Sequence, residues 1–214
     1  MIIQKVIKGI AGIDPLDAQR IMEAGIYCNW WRKVGTLPFP QVPLRLNAQN
    51  LDWHQNHYDD PDPNEGGEQF GRHTPFISTT AGSVERDIVR RRNFLLPAQQ
   101  VGLEFATNGW RQDGCLFYCY VFIIGRPSIA HQVFSEEIRE LNIFTTFSLF
   151  QPEGEITAKI VIPPAQIERF EFYDILSVRQ NIRSGRRPTP SSGGLNARFF
   201  EPPDKISNIR EFLI

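Results

Sequence analysis

Cys115-Leu116-Phe117-Tyr118-Cys119-Tyr120-Val121-Phe122-Ile123-Ile124 is a run of aromatic, β-branched and other apolar residues without a single charge. Such side chains pack well on a pleated surface, so the run is predicted as a buried strand. It is far short of the about 20 apolar residues that a membrane-crossing helix needs. Downstream, Ile143–Phe150 and Ile156–Ile162 read as two more strands joined by Gln151-Pro152-Glu153-Gly154-Glu155, and Phe170–Leu176 as a last one. Upstream, Phe76–Thr80 reads as a strand ending in hydroxyl residues, and residues 2–8 as an opening strand stopped by Gly9 and Gly12. Asp14-Pro15 has the form of a helix start, with Asp as N-cap and Pro in the first turn; Gly25 is the matching stop. Between Pro38 and Pro75 the chain reads as loop with a short helix near Ala48–His57, and Ser83–Phe94 as an Arg-bearing helix. Residues 181–197, rich in Pro, Ser and Gly, read as a mobile linker. Strands outnumber helices and the helices come early, so the fold class is α+β rather than alternating βαβ.

The 214 residues correspond to about one domain. With 41% hydrophobic residues and 16 Phe there is enough apolar surface for a core, which excludes a disordered chain. Cys28, Cys115 and Cys119 are an odd set without metal spacing, which argues against a disulfide frame and a zinc site. His54, His57, Asp59 and Asp60 lie in a Pro- and Asp-rich stretch and are not read as a metal site. The opening residues lack a signal peptide's apolar region, so a cytoplasmic protein with no membrane contact is expected. A net charge of −1 argues against a whole-surface nucleic-acid binder. Yet 18 of the 23 basic residues are Arg, and Arg179, Arg183, Arg186, Arg187 and Arg198 fall in a stretch without an acid. Dinucleotide-binding glycine motifs, phosphate loops and nucleophile elbows are missing from the sequence.

Several short motifs acquire meaning from their order. They are Val6-Ile7-Lys8-Gly9, Asp14-Pro15 with Gly25, Leu51-Asp52-Trp53-His54, Phe76-Ile77-Ser78-Thr79-Thr80 and Phe150-Gln151-Pro152-Glu153-Gly154-Glu155. Behind them comes Ile160-Val161-Ile162-Pro163-Pro164-Ala165-Gln166-Ile167. Together they resemble the mono-ADP-ribosyltransferase toxins of the cholera and pertussis A-subunit kind, over about residues 2–176. The resemblance implies one transferase-like domain over 1–178, two packed, mainly antiparallel sheets with N-terminal helices, and an Arg-rich extension over 179–214. NAD would be the co-substrate, without a metal. Glu155, Glu153, Ser78 and His54 would be the catalytic set. Lys8, Ser78, Thr79 and Thr80 would bind the cofactor, and Phe150 would touch the acceptor. The family's opening Arg falls on Lys8, which keeps the charge but loses the planar fork; Arg32 and Arg45 are the alternative sources of a guanidinium.

The chemistry explains those residue types. Breaking the nicotinamide–ribose bond develops positive charge on the ribose, which a fixed carboxylate stabilises. Glu155 would supply that carboxylate, Ser78 would hold it, and Glu153 would deprotonate the attacking group. The acceptor is expected to be protein arginine or a nucleic acid, and an intracellular toxin of this kind implies a neutralising antitoxin or immunity protein. Alternatives are an NAD glycohydrolase, with water as acceptor, and a catalytically degenerate binding module.

Overall fold

β1 (Ile2–Ala11) runs three residues further than the alternation suggests and occupies the middle of the main sheet. In a computed structural model the described residues are 2–34, 42–81, 97–123, 155–203 and 205. Among them α1 (Pro15–Ala24), β2 (Ile26–Tyr27), α2 (Asn29–Val34), α3 (Val42–Arg45), α4 (Ala48–Asn56) and β3 (Phe76–Thr80) follow β1 in order. Then come α5 (Ala98–Ala106), β4 (Gly114–Ile123), β5 (Glu155–Lys159), β6 (Val161–Ile162), β7 (Ile167–Tyr173), α6 (Ile175–Arg183) and β8 (Ser192–Leu195). Six of the strands form one antiparallel sheet in the order β5-β3-β1-β4-β7-β8, and β2 pairs with β6 in a small second sheet. The α+β class and the antiparallel character match the sequence reading.

The run around Tyr118 is indeed an interior strand: β4 pairs with β1 from Ala11↔Gly114 to Ile2↔Ile123 and with β7 on its other side. One face of these strands buries Val6, Cys115, Phe117 and Cys119 against Ala18 and Met22 of α1 and Trp30 of α2. The other buries Ile7, Leu116 and Tyr118 against Ala98, Leu103 and Ala106 of α5. Two glycines set how close α5 comes: a Cβ on Gly9 would lie 2.2 Å from the Gly102 carbonyl oxygen, and one on Gly114 would lie 1.7 Å from that of Ala106. No side chain larger than hydrogen fits there, so the helix rests directly on the backbone of β1 and β4.

β1 and β3 share a single register pair, Ile7↔Thr80, so the sheet opens between them on the side of Lys8 and Ser78. β3 is instead fully paired with β5, Ser78↔Thr157 and Thr80↔Glu155 among them. Asp14 caps α1 through a 2.8 Å bond from the Asp17 N–H, with Gly25 as its stop, as the sequence indicates.

Four expectations need correction. Ile156–Ile162 is not one strand, because Ile160 takes φ 56° and turns β6 away to the second sheet. Phe170–Leu176 ends as a strand at Tyr173, because the Asp174 side chain accepts from Ser177 N–H at 2.8 Å and starts α6. Residues 181–197 are not a linker throughout: α6 extends to Arg183, and Ser192–Leu195 adds β8 to the edge of β7. Asn196 then anchors the chain by donating to the carbonyls of Pro164 and Ile167, both at 2.8 Å. The division expected between 178 and 179 therefore falls inside α6, and the segment beyond it completes the sheet. The helix expected at Ser83–Phe94 and the strand at Ile143–Phe150 lie outside the described residues.

Candidate active site

The opening between β1 and β3 is the floor of a pocket of about 330 Å³, within the usual range of small-molecule sites. Lys8, His54, Ser78, Thr79, Thr80 and Glu155 all line it, together with Tyr58, Asp59 and the α5 residues Val101, Gly102 and Phe105. Six of the eight residues singled out in the sequence thus meet in one place. Glu153 and Phe150 lie outside the described residues. Arg32 and Arg45 do not line the pocket; Arg45 reaches Glu65 at 2.5 Å and lies over the Trp30 ring.

Each side chain arrives for a local reason. Asn47 caps α4, its side chain accepting from Asn50 N–H at 2.8 Å, and the helix then buries Leu51, His54 and Gln55 along its length. Alternation along β3 puts Ser78 and Thr80 on one face, opposite Thr157 and Glu155 of β5 on the same face. Thr79 points the other way and donates to the Ile156 carbonyl at 2.5 Å, which ties the two strands together.

His54 is the hub. Its Nδ1 is 2.9 Å from the Thr74 hydroxyl, and its Nε2 lies 2.9 Å from Ser78 Oγ and 3.6 Å from Glu155 Oε1. A carboxylate only accepts, so the consistent assignment puts a proton on Nε2, with Ser78 accepting from it and turning its own proton to Glu155. On the far side, Thr157 Oγ1 donates to Glu155 Oε1 at 3.3 Å and accepts from Gln55 Nε2 at 3.1 Å. Burial alone would raise the Glu155 pKa; hydrogen bonds from His54, Ser78 and Gln55 and the influence of the His54 ring outweigh it, and hold the carboxyl below its ordinary range. Lys8 moves the other way. Burial lowers its pKa, opposed by the charge of Glu155, and no hydrogen bond or ion pair holds it among the described residues.

A Ser–His contact invites comparison with a hydrolytic triad, but the geometry is wrong. The orienting carboxylate of a triad sits on the imidazole nitrogen away from the serine. Here that nitrogen meets Thr74, and Glu155 shares the Ser78 side. The arrangement instead builds an ionised carboxylate, held by several donors, facing a pocket that Lys8 also lines.

Gln55, Thr157 and Tyr58 escaped the sequence reading, and Asp59, weighed there only as a metal ligand, lines the pocket. The Gln55–Thr157 contact spans 102 residues, and only pairing Ser78 with Thr157 brings it about. Tyr58 is placed by a glycine: a Cβ on Gly71 would come within 2.3 Å of its ring. The His57 imidazole turns away to Asp60 at 2.7 Å, so the two histidines of this stretch do not converge. Three of the five clustered arginines are used within the fold: Arg179 donates to Trp110 O, Arg187 to Gln99 Oε1 and Arg198 to Glu23 O.

Among the described residues no helix is long and apolar enough to cross a membrane. No family model matches the chain. No curated protein matches it either. Among solved structures it is similar to one named EcPltA, with a TM-score of 0.46 and 16% identity over 98% of this chain and 96% of that one.

Proposed function

We propose that this chain is an ADP-ribosyltransferase that cleaves NAD at the nicotinamide–ribose bond and passes ADP-ribose to a macromolecular acceptor, with toxin-like action inside a cell. One observation carries the reading: an ionised Glu155, held by Ser78 and His54, shares a pocket with Lys8 at the opening between β1 and β3.

In that reaction the C1′–N bond breaks and its electron pair returns to the nicotinamide ring, which leaves neutral. Positive charge grows on the ribose at the same time. Glu155 stabilises it from a site where burial strengthens the attraction, an effect of about 3 kcal/mol or more for comparable fixed groups. Being charged before the reaction starts, the carboxylate needs no proton transfer for this role. Lys8 offers a positive charge to the cofactor's phosphates, as a point charge rather than a bidentate fork. The acceptor's nucleophile bonds to C1′, and Glu153 is the base proposed to take its proton.

Protein arginine is the first acceptor to test. The case for nucleic acid is weakened because most of the clustered guanidinium groups are bound to the fold's own oxygens. Incubation with labelled NAD and a whole lysate, followed by separate protease and nuclease digestion, tests both. Label released by protease and eliminated by Glu155→Gln is the expected result. Label released by nuclease moves the acceptor to nucleic acid. Nicotinamide release without label makes the chain a glycohydrolase, and neither signal overturns the enzymatic reading. Glu153→Gln is expected to stop transfer while some NAD hydrolysis survives.

A further inference from the structure

We infer that Gln55 and Thr157 form a positioning relay that fixes the direction in which the Glu155 carboxylate faces, and that they do so as partners of Ser78 and His54 on its opposite side. The inference rests on the function proposed above for Glu155, but its geometry stands apart from it.

Thr157 follows Glu155 by two residues on β5, so both side chains stand on one face of the sheet. Gln55 follows His54 on α4, and both are buried, with 1% and 4% of their surface exposed. The helix therefore presents two consecutive side chains to the same carboxylate: His54 directly and by way of Ser78, and Gln55 directly and by way of Thr157.

The direction of the relay follows from proton counting. Glu155 accepts only, and the Thr157 hydroxyl has one proton to give. For that proton to reach Glu155, Gln55 must offer Thr157 an N–H rather than its carbonyl, as it does at 3.1 Å. The consequence is visible on the other end of the amide: Gln55 Oε1 is buried and has no hydrogen-bond partner among the described residues. An unpaired buried acceptor opposes folding. Turning the amide over would satisfy that oxygen with the Thr157 proton and withdraw the proton from Glu155. The fold instead keeps the unpaired oxygen and leaves the carboxylate served.

A residue that acts through another should alter turnover and the titration of its target more than cofactor binding. The titratable groups facing Glu155 are His54 from α4, Lys8 from β1, and Tyr58 and Asp59 from the loop after α4. None of these is altered by Thr157→Val, Thr157→Ser or Gln55→Met. The Glu155 carboxyl is followed by carbon NMR in the full chain, assigned with Glu155→Gln, and nicotinamide release is measured on the same samples across pH.

Thr157→Val and Gln55→Met are each expected to raise the Glu155 titration toward higher pH. They should lower kcat about tenfold, the acid limb moving with the carboxyl, while KM for NAD stays within about twofold. Thr157→Ser, which keeps the hydroxyl, should restore both. An unmoved titration in Thr157→Val overturns the relay, as does a Thr157→Ser that behaves like Thr157→Val. If Thr157→Val fails to fold, Thr157→Ala decides by the same two readouts. A wild type whose titration responds as described but which releases no nicotinamide overturns the proposed function and leaves the relay standing. An active wild type with an indifferent titration does the reverse.

Discussion

Among the described residues two buried histidine–carboxylate pairs occur, and they differ in what surrounds them. His73 Nε2 meets Asp62 at 3.0 Å inside the loop after α4, and His54 Nε2 meets Glu155 at 3.6 Å beside the pocket. The tighter pair is a fastener. Asp62 also accepts from Asn64 N–H at 2.8 Å, its backbone bonds to Glu68 and Gly67 close the loop, and neither side chain lines the pocket. The looser pair has spare capacity on a carboxylate that lines an open pocket, which Lys8 also lines. A perturbed buried pair is thus no site by itself. The distinguishing features are the cavity and the donors that hold the carboxylate without consuming it.

The largest expected difference between the pairs is catalytic. Glu155→Gln keeps the shape and removes the charge, so nicotinamide release should fall by about 10²–10³-fold. Steady-state assay of purified protein checks this, with circular dichroism showing the fold intact. Comparable turnover in the variant would remove Glu155 from the mechanism.

Asp62→Ala should give the opposite pattern. Removing one partner of a buried pair costs about 3 kcal/mol of stability, read by urea unfolding, while kcat per folded molecule stays within about twofold. Burial would raise the Asp62 pKa, but the hydrogen bonds from His73 and Asn64 hold it below its ordinary value. A depressed folded pKa contributes stability that is complete above the unfolded value, about 3.9, and is lost as pH falls through the folded one. Wild-type stability should therefore drop more steeply than that of Asp62→Ala below about pH 4. Parallel acid limbs would show that the pair does not fasten the loop.

Lys8→Gln should have the smallest effect of the three. Loss of one charge-assisted contact to phosphate raises KM for NAD about tenfold, or about 1.4 kcal/mol, with kcat little changed. Added salt should shrink the gap between wild type and variant, because screening weakens the contact that only the wild type makes. A KM indifferent to Lys8→Gln would leave the cofactor's phosphates without their proposed partner.

The sequence makes the elements that carry local signals legible: the apolar run of β4, the Asp14-Pro15 cap, the strand that presents Ser78. It also brings most of the pocket's polar residues into view, because motif order survives where each motif alone says little. What it hides depends on distant contacts. β8 reads as linker because its Ser-Gly-Gly-Leu composition carries no strand signal: Gly193 and Gly194 join the sheet only because β7 offers an open edge. The break at Ile160 is hidden in the same way, since a β-branched residue at positive φ has no sequence signature. α5 has an N-cap without a side-chain bond and a glycine in its middle, both poor helix signals, yet that glycine is what lets it lie against Ile7. Gln55 and Thr157 look like ordinary helix and strand residues until pairing of β3 with β5 brings them together.

The most direct test is the structure of Glu155→Gln crystallised with intact NAD. The account places the nicotinamide-bearing ribose beside residue 155 and the pyrophosphate on the Lys8 side of the same pocket. NAD bound elsewhere on the molecule, or no NAD bound at millimolar concentration, would contradict it.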